Sequence, residues 1–314
     1  MKSGSKNSIL IILLLACRPK FLVASVAPVI VGSAAGFAAA GTFQPYLFIL
    51  AAFAIMALHA GANITNDYFD HLSGNDWLNQ NPTPFSGGRR YIQQGIISPR
   101  ATLLTAFTFL TIGSAIGLVI VLLTGSTFIL ILGLIGLLGG YFYTASPVRL
   151  GYRCFGESAI ALLFGLLPVY GSYYLQTGSI DTIVFLPACL VSILIFLVIL
   201  VNEFPDHDAD AAVNKKTLVV RFGIPAAVRI YRIALAASFI IAAAMLIYQF
   251  TFFSGLFYLF TLPLALIAIS FVNKQDLTKP DQYRPSQITI LLHTIGSLAV
   301  AAGFLTCRLL NAAS

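Results

Sequence analysis

The sequence predicts an all-α polytopic membrane protein, with about nine transmembrane helices around a central cavity open to the cytoplasmic side. Three observations predict it. Of 314 residues, 58% are hydrophobic and only 9% charged, whereas soluble domains carry roughly one-quarter charged residues. Apolar runs of about 20 residues, the length that crosses roughly 30 Å of hydrocarbon as a helix, recur along the whole chain. The basic residues are confined to alternate connections between those runs.

In chain order the runs are residues 20–40, 45–65, 101–123, 126–145, 156–175, 182–203, 228–248, 253–272 and 286–309. Short turn-like breaks separate some of them, at Gly41-Thr42, Gly125-Ser126 and Gly178-Ser179. Longer polar stretches, 71–100, 204–227 and 273–285, separate others. Nine helices imply termini on opposite sides of the membrane.

Lys and Arg near membrane ends resist translocation and so mark the cytoplasmic loops. Of 18 basic residues, four precede the first run, three follow the second, two the fourth, five the sixth and three the eighth; Arg308 near the C-terminus completes the set. The loops after runs one, three, five and seven have none. This puts the N-terminus in the cytoplasm and the C-terminus outside, in the cell (inner) membrane. The +7 net charge is thus a topology signal and implies no nucleic-acid partner. Nothing in the pattern specifies an oligomer.

The start, MKSGSKNSILIILLLACRPK, has the order of a lipoprotein signal, but its apolar run from Ile9 to Ala16 is short and Arg18 and Lys20 follow Cys17 at once. It is read as uncleaved. Cys17, Cys154, Cys189 and Cys307 have no metal-ligand spacing and are read as small reduced residues.

Ten of the eleven acids, all but Asp181, sit at or beyond cytoplasmic helix ends, and seven fall in two segments. In these, Asn66-Asp67-Tyr68-Phe69-Asp70 matches Asn202-Glu203-Phe204-Pro205-Asp206, each closing an even-numbered helix, the pattern of a duplicated half. Residues i and i+4 share a helix face, so Asn63 with Asp67, Asn66 with Asp70, and Asn202 with Asp206 and Asp210 are expected to form polar stripes. Facing carboxylates repel unless a cation lies between them. Oxygen donors suit Mg²⁺, which commonly takes one or two carboxylates plus water and substrate phosphates, so the paired segments point to a metal-held diphosphate. A solvated loop explains one acidic run more simply than two that begin inside apolar segments, where ionisable groups are costly.

Lys215, Lys216, Arg221, Arg89, Arg90, Arg149 and Arg153 lie in the same cytoplasmic loops, where they anchor topology or bind diphosphate oxygens. Lys216 and Arg149 are favoured for substrate contact over Arg18 and Arg153. The amides of Ser86-Gly87-Gly88 are a weaker anion-binding signal.

The pair NDYFDHLSGND and NEFPDHDADAAVNKKTLVVRFG resembles the UbiA superfamily of intramembrane prenyltransferases over essentially the whole chain. RPKFLVASVAPVIVG, NPTPFSGGRRYIQQGIISP and GYFYTASPVRLGYRCFGE look specifically like its 1,4-dihydroxy-2-naphthoate polyprenyltransferase branch. Two positions depart from the general pattern. The third acid of the first motif is Asp76, six residues after Asp70, and the leading acid of the second is Asn202; both departures are similar to the branch.

The resemblance implies one UbiA-like membrane domain over residues 1–314, with cytoplasmic caps at 71–100 and 204–227. It implies transfer of a polyprenyl group from polyprenyl diphosphate to an aromatic acceptor in the bilayer, for menaquinone synthesis. Asp67, Asp70, Asp206 and Asp210, with Asn66 and Asn202, would hold Mg²⁺. Lys216, with Lys215 and Arg149, would stabilise the leaving group, and Asn63, Asp76, Tyr143 and Arg18 would contact substrate. Tyr68, Phe69, Tyr141 or Tyr143 would face the allylic cation, and Arg149 or Arg18 would hold an acceptor carboxylate. His59, His71, His207 and His293 are bases only in principle; His59 and His293 are expected to be hydrogen-bonded interior residues. Other acceptors (4-hydroxybenzoate, homogentisate, chlorophyllide, glycerophosphate or haem) share the chemistry. An ion-coupled transporter is the rival class, but it needs a polar path to both faces, and the outer loops offer only Asp181.

Overall fold

The computed structural model describes residues 12, 15–273 and 276–313. Lys2, Lys6, Lys274 and most of the signal-like N-terminal run lie outside them. Among the described residues there is no strand, only an isolated bridge between Arg153 and Lys216.

Helix α1 (Pro19–Ala40) opens on a proline, whose missing N–H costs nothing at a helix start. It stops at Gly41, where φ is 75° and the N–H bonds back to Phe37. Helix α2 (Pro45–Ser73) has 29 residues, a length of about 43 Å at 1.5 Å per residue. That exceeds the hydrocarbon thickness, so its last turns carry polar side chains beyond the apolar layer. Gly74, at φ 83°, ends it and starts the short α3 (Asn75–Leu78). Helices α4 (Pro99–Thr124) and α5 (Thr127–Phe142) begin at Ser98 and Ser126, whose hydroxyls accept from the N–H groups of Ala101 and Ile129.

Helix α6 (Gly156–Thr177) contains a π turn at Leu162–Leu166. Pro168 follows within the helix; it has no N–H for Phe164 O and its ring crowds that carbonyl, and the wider turn accommodates both. Next come α7 (Thr182–Asn202), α8 (His207–Ala212), α9 (Leu218–Phe222) and α10 (Ile224–Met245). Helices α11 (Phe252–Leu259) and α12 (Leu262–Val272) meet at a 48° bend, and α13 (Arg284–Ala313) closes the bundle.

Each of the nine expected runs is helical, yet nine spans are not confirmed. Among the described residues seven helices are long and apolar enough to cross a membrane, the bent α11–α12 pair adds an eighth if it is one span, and α5, with 16 residues, is shorter than a full crossing.

The largest core joins α1, α6, α7, α10 and α13 through Val31, Val169, Leu194, Tyr231 and Phe304. Close packing relies on small residues: a Cβ on Gly32 of α1 would lie 2.1 Å from the Val169 carbonyl of α6. Large apolar side chains cover the outside, with Leu122 and Ile247 at 75% and 79% exposure. Water penalises such a surface by about 25 cal/mol per Å²; lipid does not. The molecule is a multi-pass membrane protein.

Candidate active site

The last three turns of α2 behave as a helical face should. Asn66 Nδ2 donates to Asp70 Oδ2 at 2.9 Å, one turn on. The second acidic segment does not repeat this geometry. Helix α7 ends at Asn202 and residues 203–206 form turns before α8, so the expected continuous stripe Asn202–Asp206–Asp210 is corrected. Pro205 supplies the reason, since it has no N–H to continue the α7 ladder. Asp206 and Asp210 remain one turn apart through an Asp210 N–H bond to the Asp206 carbonyl of 2.8 Å.

The two segments are tied together by Asn75 and Asn79, and by one of the loop amides of Ser86-Gly87-Gly88. Asn75 Nδ2 donates to Asp210 Oδ1 at 2.6 Å, and Asn79 Nδ2 to Asp206 Oδ1 at 2.7 Å. The Gly87 N–H donates to Asp206 Oδ2 at 3.2 Å. Gly88 adopts φ +66°, and a Cβ there would sit 3.1 Å from both Asp76 carboxylate oxygens, so only glycine fits without displacing that carboxylate. The spacing of Asn75 and Asn79 by four, just past the glycine that ends α2, was the available signal.

Internal cations meet the acids. Lys215 Nζ lies 3.3 Å from Asp210 Oδ1 and 3.6 Å from Asp70 Oδ2, bridging the segments. Burial alone lowers an ammonium pKa, but Asp210 and Asp70 outweigh it and hold Lys215 well above its usual value. Arg18 pairs with Asp67. Burial, with Asp210 beside it, pushes the Asp206 carboxyl up to about 7. Burial together with the Asp70 and Asp67 charges pushes Asp76 up to about 8, and burial with Glu157 nearby raises Glu203 well above the usual range.

These groups surround a cavity with ≈ 1170 Å³ of empty space, partly open to solvent. Of the residues expected at the site, Arg18, Asn63, Asn66, Asp70, Asp76, Tyr143, Asn202, Asp206, Asp210 and Lys215 line it. Asp67 is buried but turned to Arg18, outside the lining. Lys216 is a correction: its side chain is exposed, because its backbone pairs with the 152–154 turn, and Lys215 is the lysine that reaches the cavity. Arg149 is another, exposed in a turn at φ 48°, its guanidinium 5.2 Å from the Tyr152 ring. Tyr68, Phe69 and Tyr141 pack as an aromatic cluster away from the lining; Phe21, Phe85 and Phe164 line it instead. His59 is hydrogen-bonded, to Ser25, whereas buried His293 makes no hydrogen bond among the described residues. None of the four cysteines forms a disulfide.

Among the described residues no three His, Cys, Asp or Glu side chains stand close enough together to hold a metal by themselves. Yet Asp70 Oδ1 and Asn202 Oδ1 are buried with no hydrogen-bond partner among the described residues, a costly condition. Orphaned oxygens on both segments fit an oxygen-seeking divalent cation whose remaining ligands come from a phosphate substrate and water.

A second, apolar groove of ≈ 1190 Å³ runs between α2, α4, α5 and α6. It shares Ala62, Gly140 and Phe164 with the polar cavity, so the two adjoin at the π turn.

With this geometry in place, residues 25–305 match the model of the UbiA prenyltransferase family. The chain belongs to that family. As a UbiA family member it is a prenyltransferase, and the transporter alternative falls. A 1,4-dihydroxy-2-naphthoate octaprenyltransferase of Haemophilus influenzae is 31% identical over 300 residues, 91% of this chain and 94% of that protein. A 2-carboxy-1,4-naphthoquinone phytyltransferase of Synechocystis is 25% identical over 294 residues, 93% and 92% of the two chains. The UbiA fold is also that of a solved homolog from Archaeoglobus fulgidus bound to GPP and Mg²⁺, with TM-score 0.68 and 21% identity over 92% of this chain and 99% of that one.

Proposed function

We propose that the protein transfers a polyprenyl group from its diphosphate to 1,4-dihydroxy-2-naphthoate, with Mg²⁺, as a step of menaquinone synthesis. The observation that carries this reading is the junction of two sites, a polar cavity walled by both acidic segments and an apolar groove that meets it at Phe164. Diphosphate and isoprenoid are the two ends of one substrate with matching chemistry. Naphthoate relatives across most of the chain support the acceptor.

Asp70, Asp206 and Asp210, with Asn66 and Asn202, would hold Mg²⁺, and Asp67 would position Arg18. When bound, the cation neutralises diphosphate charge and makes it a better leaving group. Lys215 donates to the departing oxygens from within the cavity, where a low dielectric strengthens the interaction. Tyr143 and the half-buried Phe21, Phe85 and Phe164 exclude water from the allylic carbon and offer it their π faces. The loops 71–100 and 204–227 cap the site, so the domain over residues 1–314 works as one unit. The N-terminus faces the cytoplasm and the C-terminus the outside of the cell membrane, as the basic loops suggest. In support, Arg308 near the end of α13 lies 3.4 Å from the Gly41 carbonyl at the end of α1.

The test is purified protein in lipid given Mg²⁺, a radiolabelled polyprenyl diphosphate and a panel of aromatic acceptors. The naphthoate is expected to be prenylated best. Preference for 4-hydroxybenzoate overturns the acceptor, and full turnover in excess EDTA overturns the metal.

A further inference from the structure

His59 lies on the face of α2 that carries Asn63, Asn66 and Asp70, at successive intervals of four, three and four residues. All four line the polar cavity. A rise of 1.5 Å per residue sets His59 about 10 Å inward of Asn66 and about 16 Å inward of Asp70 along the helix. The duplicated pattern shows what is unusual about it. Seven residues before Asn202, the equivalent position is Ile195, which lines the same cavity. At this depth one half presents hydrocarbon and the other an imidazole, among walls such as Ala62, Ile160, Val198 and Ile199 that are otherwise apolar.

The ring is held from two sides. Ser25 on α1 is hydrogen-bonded to Nδ1, and the Phe164 ring of the π turn packs against it with centroids 4.5 Å apart. Nε2 makes no hydrogen bond among the described residues, and His59 keeps partial exposure, unlike fully buried His293. A fixed imidazole with one nitrogen left over, next to an aromatic face, suits a flat ring bearing a hydroxyl. The roughly 10 Å between the levels of Asn66 and His59 accommodates the leaving oxygen, a near-attack gap of roughly 3–3.5 Å and one aromatic ring.

We infer that His59, oriented by Ser25, contacts a ring hydroxyl of the aromatic acceptor through Nε2 and so fixes which ring carbon faces the allylic carbon. The inference rests on the proposed prenyl transfer to a hydroxylated aromatic. A polar contact at this position costs little when made and much when its partner is missing, which gives strong discrimination between hydroxyl and its absence.

The experiment uses the full chain in lipid nanodiscs with Mg²⁺, geranylgeranyl diphosphate, 1,4-dihydroxy-2-naphthoate and the two monomethyl ethers of that acceptor. His59→Phe, which keeps an aromatic beside Phe164, is expected to raise the acceptor KM about tenfold or more. Its KM for geranylgeranyl diphosphate stays within about twofold, and His59→Gln recovers part of the loss. The wild type should prefer the free hydroxyl over one ether by about tenfold, and His59→Phe should erase that preference. An unchanged acceptor KM in folded His59→Phe, a parallel rise in both KM values, or a retained preference overturns the inference. If His59→Phe does not accumulate, Ser25→Ala decides: it should weaken the preference several-fold, and an intact preference again overturns the inference. Should the wild type prenylate no hydroxylated aromatic at all, the proposed function fails first, and the inference with it.

Discussion

The two acidic segments share a five-residue pattern and differ in backbone. The first rides an unbroken helix through Ser73, and its Asn66 and Asp70 meet side chain to side chain. The second loses its helix at Asn202 and regains one only at His207. The break brings Asp206 and Asp210 under Asn75, near the end of the first segment, and Asn79 and Gly87, just beyond it. A repeated pattern therefore conserved where the oxygens gather, while the second copy gave up helix continuity to be clasped by the first. Lys215, reaching one acid from each, is the only lysine that lines the shared cavity among the described residues.

The largest expected effects test whether the halves are equal partners. Asp70→Ala and Asp206→Ala should each lower kcat on the order of 10³-fold with folded protein retained, as judged by turnover and size-exclusion profile. Asp67→Asn, outside the lining, should cost much less; equal losses at Asp67 and Asp70 would break the distinction. Next, Lys215→Met should lower kcat by roughly 10²-fold while Lys216→Met leaves it near wild type, a reversal of the sequence-based preference that steady-state kinetics reads directly.

A smaller effect concerns protons. The raised carboxyl of Asp206, near 7, leaves this proposed ligand about half-protonated at neutral pH when no cation is bound. Cation binding must displace that proton, so affinity rises with pH and falls by up to about tenfold per unit below this value. Calorimetric titration of Mg²⁺ between about pH 6 and pH 9 should show the rise flattening at the top of the range; a flat profile throughout contradicts it. The smallest effect is at the break itself. Pro205→Ala restores an N–H and lets α7 extend, and a two- to threefold loss of kcat is expected, roughly what a shift in positioning alone gives.

Much of this was legible, for physical reasons that also explain the failures. Helices announced themselves because crossing hydrocarbon requires long apolar runs, and α5 fell short because its run continues into the turn at Tyr143 rather than through a full span. The stripe on α2 was readable because helical periodicity holds there. Beyond Asn202 periodicity lapses, so nothing in the spacing separates Lys215 from Lys216, and backbone pairing with the 152–154 turn decides which one points in. Arg149 was lost to a positive-φ turn. Nothing beyond their spacing by four marks Asn75 and Asn79 for this role, since asparagine is common in turns for its own backbone chemistry. His59 was set among satisfied interior residues; its bond to Ser25 agrees, but the face it shares with Asn63 and Asn66 carried more information.

The wall shared at Ala62, Gly140 and Phe164 has a consequence for how the reaction runs to completion. One product of the proposed reaction is a greasy quinone precursor and the other a small, highly charged anion. With a hydrocarbon groove on one side and a water-facing mouth on the other, each product has an exit into the phase that dissolves it. Their separation by partition keeps the pair from meeting again at the site.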